Sequence, residues 1–228
     1  MIALLAIPLT VLSMQQAADS AIAQRLAGRV PPQIASLVED LGTAAAAHGL
    51  PIDPLIQKAI EGSAKGVPPD RVATALRVVA MHLDTAATAL RDGGLPSDTL
   101  AIAAGEFAIS AGLSGSDITA LARTGANAAA LTVGLRVAGT LAALGVPPAE
   151  DIGLVSVELR AGEPASTLLL LPANVQAEMA KGATAAQAAA GLARAAAAQA
   201  RHGPPPGRGQ GHPPPPHPPH PPAPAPHP

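Results

Sequence analysis

The chain has no cysteine, tryptophan or tyrosine, and Phe107 is its only aromatic residue. Without cysteine there is no disulfide, thiolate metal site, cysteine nucleophile or lipid anchor through sulfur. Without aromatics, the core must be filled by Ala, Leu, Val and Ile. Such side chains let backbones approach closely but bury little area each, at about 25 cal/mol per Å² of apolar surface. Many close helix contacts and modest stability are therefore expected. Charge is sparse, at 13% of residues with a formal net of −2. Arg71, Arg77, Arg91, Arg123, Arg136 and Arg160 form no basic run, which argues against a nucleic-acid partner. Catalytic signatures are missing as well. There is no HExxH, and Ala64-Lys65-Gly66 lacks the glycine scaffold of a phosphate loop. Gly115-Ser116-Asp117 follows no strand and reads as a helix start, not a nucleophile elbow.

What is present is a recurring punctuation: glycine, an aliphatic residue, proline, then an acid and another aliphatic. It reads Gly49-Leu50-Pro51-Ile52-Asp53-Pro54-Leu55, and recurs from Gly66 to Val72 and from Gly94 to Leu100. A looser copy runs from Gly145 to Ile152, and Gly112 to Ile118 keeps the spacing but loses the proline. Glycine closes one helix in the left-handed conformation. Proline opens the next, where its missing N–H is no loss. The acid sits in the first turn, against the positive end of the helix dipole.

Strict strand alternation is absent and helix formers dominate. The stops predict an all-α protein with helices near 31–48, 53–65, 69–91, 97–111, 116–143, 148–161, 165–181 and 184–201. Pro172 is expected to break the seventh. Segments between glycine stops alternate short and long, which points to a helix pair duplicated with a period of about 45–50 residues. The architecture expected is a bundle or a short helical-repeat array. In helix 69–91, Val72, Leu76, Val79, Leu83 and Leu90 share one apolar face. In 116–143, small residues such as Gly125, Gly134 and Ala138 would allow close crossing, and Arg123 and Arg136 argue against a membrane span.

The two ends differ from this body. Ile2 to Leu12 is an apolar run of signal-peptide length, followed by the small-residue pattern Ala21-Ile22-Ala23. It predicts export, with a leader over 1–23 and Gln24 as mature start, or an earlier cut after Ala17. No Lys or Arg precedes the run. The helical domain is then 24–202, with no transmembrane span in the mature chain. From Gly203 to Pro228 the chain is Pro/His-rich and cannot form a core, so 203–228 is expected to be an extended, disordered tail. His212, His217, His220 and His227 lie in it, with His202 at its root. Imidazoles suit zinc, nickel or copper. In polyproline II, His217 and His220 would project from one side about 9 Å apart at 3.1 Å per residue. Those four histidines are the candidate metal ligands, for weak binding at most; no other cofactor is expected.

The remaining candidates have structural readings. Glu61–Lys65 and Glu178–Lys181 are spaced as surface helix pairs, and Glu158 and Arg160 lie at another helix end. Glu106, beside Phe107 in an apolar helix, is expected on the exposed edge unless it is a buried functional acid. His48 precedes a glycine stop as a capping residue, and His82 is expected to face solvent. No catalytic residue is assigned. The sequence therefore predicts a non-catalytic exported helical scaffold or interaction module with a protein or cell-envelope partner. Metal buffering or delivery by the tail is the alternative.

Overall fold

The computed structural model describes residues 21–96 and 98–202. Most of the expected leader, the whole 203–228 segment and His212, His217, His220 and His227 lie outside the described residues. Within them the chain is all-helical and no strand occurs. Residues 21–26 are helical. There follow α1 (Pro32–Ala47), α2 (Asp53–Ala64), α3 (Pro69–Asp92), α4 (Thr99–Ser110) and α5 (Gly115–Ala122). Then come α6 (Ala128–Ala143), α7 (Pro148–Ala161), α8 (Ala165–Ala180) and α9 (Ala185–His202). Among the described residues no helix is long and apolar enough to cross a membrane.

The glycine stops have a definite geometry. At the end of α2, Gly66 takes φ +66°. Its N–H donates to the Ser63 carbonyl and the Val67 N–H to that of Gly62, each at 3.0 Å. This is a Schellman closure, and it explains the aliphatic residue after the glycine: that side chain folds back onto the helix end. Val146, in the same place after α6, is buried. The paired prolines stand where the expected starts at 69 and 148 place them. Pro68 and Pro147 are extended N-caps, and Pro69 and Pro148 occupy the first helical position. Asp98 is itself an N-cap, accepting from the N–H groups of Leu100 and Ala101.

Two expected helix boundaries change. The segment 116–143 is two helices, α5 and α6, because Gly125 adopts φ +82° and Asn127 caps α6 by accepting from the Ala130 N–H. The short–long alternation is consequently not carried into the helix lengths. Conversely, Pro172 does not break α8. Leu168, Leu171 and Val175 are buried on either side of it, and their packing outweighs the local penalty.

The helices pack in chain order. Close contacts join helices one or two places apart. α1, α3, α5, α7 and α9 follow one another in one row; α4, α6 and α8 form the facing row. α2 packs on α1 and α3 but not closely on α4, its would-be neighbour in the second row. The core is a continuous aliphatic seam between the rows, and the expected face of α3 is buried in it. Glycine permits close approach between the rows. A Cβ at Gly139 of α6 would lie 2.7 Å from the Phe107 ring and 3.0 Å from the Ala108 Cα of α4.

Candidate functional site

The gap between α2 and α4 is a groove of about 690 Å³. Val79 of α3 lies at its floor, and Arg136 and Thr140 of α6 contribute to its lining. α2 supplies a charged wall of Asp53, Lys58 and Glu61. α4 supplies the apolar wall. Leu100 and Phe107 are seven residues apart, so they share one helical stripe, and they are 63% and 44% exposed. A chain with a single aromatic ring has left it half outside the core.

Most charges on the α2 wall are already paired. Arg25 donates to Asp53, and Lys58 and Lys65 both donate to Glu61. The hydrogen bond from Lys65, reinforced by Lys58, holds the Glu61 carboxyl below its ordinary range. Glu106 and Arg136 are different: neither has an ion-pair partner among the described residues. Glu106 is buried to 8% exposure at the inner lining of the groove, not placed on the exposed edge as the sequence implied. Ser110 Oγ donates to Glu106 Oε1 at 2.7 Å and lies 3.0 Å from His82 Nδ1. With its one proton directed at Glu106, the hydroxyl accepts from His82. His82 is thus half-buried and bonded, where the sequence placed it toward solvent. Ser110 is the last residue of α4. A helix C-terminus presents carbonyls, not the N–H donors that would stabilise an oxyanion. In the row Glu106–Ser110–His82 the serine hydroxyl orients the acid.

A second, shallower depression between α3 and α5 is lined by Asp84, Thr88, Asp92, Ser116 and Arg123. There Arg123 already donates to the Asp92 carbonyl at 3.3 Å, and Ser116 bonds to Ser114. It offers neither an exposed aromatic nor a buried acid.

Two further acids were missed as buried groups. Asp151 belongs to the looser punctuation copy from Gly145 to Ile152 and lies in the first turn of α7, yet it is 0% exposed and neither carboxyl oxygen has a hydrogen-bond partner. Burial, and secondarily the charge of Asp117, pushes it up to about 8. Glu158 is also buried, and burial followed by the charge of Glu163 raises it. The spacing carried a usable signal, because 151, 154, 155, 158 and 159 form one helical face and all five are buried. Glu158 makes no pair with Arg160, whereas Glu61–Lys65 and Glu178–Lys181 pair as expected. His48 stands at the C-cap of α1, closing it through its backbone N–H. Among the described residues no group of three or more His, Asp or Glu is arranged to hold a metal ion.

No protein-family model, curated protein or solved structure matches the chain.

Proposed function

We propose that this protein is a helical interaction module that holds a segment of a partner protein in the groove between α2 and α4. The observation that carries this is the exposure of Leu100 and Phe107 beside two unpaired charges, Glu106 and Arg136. The stripe from Leu100 to Phe107 is about 10 Å long at 1.5 Å per residue. It suits two apolar side chains of a short helix or extended strand, with a cationic group directed at Glu106 and an acidic one at Arg136. Aromatic and arginine side chains are the usual energetic anchors of such contacts.

The reading extends to compartment. The apolar run 2–12 supports export, and an envelope or extracellular protein is then the partner. Ile22 and Leu26 are each 1% exposed in the core. A cut after Ala23 would remove Ile22, whereas a cut after Ala17 keeps both. The mature chain is therefore expected to begin at Ala18. Mass spectrometry of protein from its native host checks this, and a chain still beginning at Met1 would refute export.

A photo-reactive residue at Leu100 tests the groove in the native host. It should give a discrete cross-linked protein that Arg136→Glu diminishes at least several-fold. The same residue at Asp70, exposed at the start of α3 and away from the groove, should give none. No adduct at position 100, or identical adducts at both positions, would reject the reading.

A further inference from the structure

Helix α7 buries two acids on the face that packs against its neighbours. Asp151 is wholly enclosed in its first turn, with both carboxyl oxygens unpartnered, and Glu158 follows two turns later on the same face. An enclosed carboxyl without donors tolerates a proton far better than a charge. Among the described residues the elements packed on α7 offer Asp151 no ion-pair partner. α7 packs on α5, α6 and α9. From α5, Asp117 faces Asp151 with a charge of the same sign. α6 carries Arg136, which is exposed and lines the groove. α9 carries Arg194 and Arg201, exposed and donating to carbonyls of their own helix. On α7 itself, Glu150 adds another acid, and Arg160 is exposed at the far end.

We propose that α7 is a pH-sensitive latch, docked on α5, α6 and α9 while Asp151 holds its proton and released as Asp151 loses it. The sign follows from linkage. Undocked, Asp151 titrates near the ordinary value of about 3.9; docked, it titrates at about 8. Docking therefore retains a proton between those values. The opening equilibrium rises roughly tenfold per pH unit from about 4 to about 8 and levels off above. Stability from this group is fully present below the lower value and is lost as pH rises through the upper one. Glu158 is raised too and acts in the same direction.

Amide hydrogen exchange on the full chain, corrected for the intrinsic pH dependence of exchange, reads the opening directly. Protection of Leu154 and Val155 should fall roughly tenfold per unit between pH 5 and 8, and more steeply than that of Leu55 in α2. Asp151→Asn or Asp151→Leu should flatten the slope. Asp117→Asn should move the levelling-off to lower pH. A slope that survives in the Asp151 variants, or no slope in the wild type, would overturn the latch. Should both variants fail to fold, carbon-13 titration of the wild-type Asp151 carboxyl decides: a midpoint near 8 supports the proposal and one near 4 ends it.

Discussion

Phe107 and Gly139 set how closely α4 can approach α6. The ring lies where a Cβ on residue 139 would stand, with the Ala108 backbone directly behind it. Gly139→Ala should therefore displace the ring and separate the helices. Overpacking of this kind costs about 1–3 kcal/mol, and alanine's helix preference returns at most about 1 kcal/mol. A net loss of about 1 kcal/mol in chemical denaturation is expected. Gly153, in α7, has nothing within 4 Å of such a Cβ. Gly153→Ala should instead stabilise by about 0.5–1 kcal/mol. Equal effects at the two positions would show that the close approach at Gly139 is absent. The composition reveals a single phenylalanine and no tyrosine or tryptophan. It does not reveal that the ring is half exposed, because that depends on which face of α4 meets α6.

Helix limits were legible wherever the code is local. A glycine with positive φ, the aliphatic residue behind it and the proline beyond it specify a Schellman closure within seven residues, and α2, α3 and α7 begin close to where that code places them. The code was misread where the same residue types have two uses. Gly125 stood among alanines and glycines that suggested close crossing, yet it ends a turn and separates α5 from α6. Pro172 shows the opposite failure, in which tertiary burial of Leu168, Leu171 and Val175 maintains a helix that local chemistry disfavours. Pro172→Ala should restore a backbone hydrogen bond and relieve the ring's clash with the preceding turn, raising stability by about 1–3 kcal/mol. Thermal melting that shows no gain would mean α8 already bends to accommodate the ring.

At the scale of the molecule, two rows of helices bury a seam of small aliphatic groups through contacts between near neighbours in sequence. Such local topology favours rapid folding. The all-α class was legible from composition and periodicity. The groove was not, because it arises where α2 and α4 fail to pack, and a missing tertiary contact leaves no mark in local sequence. Asp151 was legible as an acid at a helix start, and its enclosure follows only from the meeting of α7 with its neighbours.

The claim that the groove is the working surface can be tested at one atom. Fluorophenylalanine incorporation places a single fluorine signal in the protein, at position 107, because no other phenylalanine exists. Titrating the labelled chain with the partner recovered by cross-linking at Leu100 should shift or broaden that signal, and Leu100→Ser should weaken the response at least several-fold. A fluorine signal unchanged at saturating partner would contradict the account.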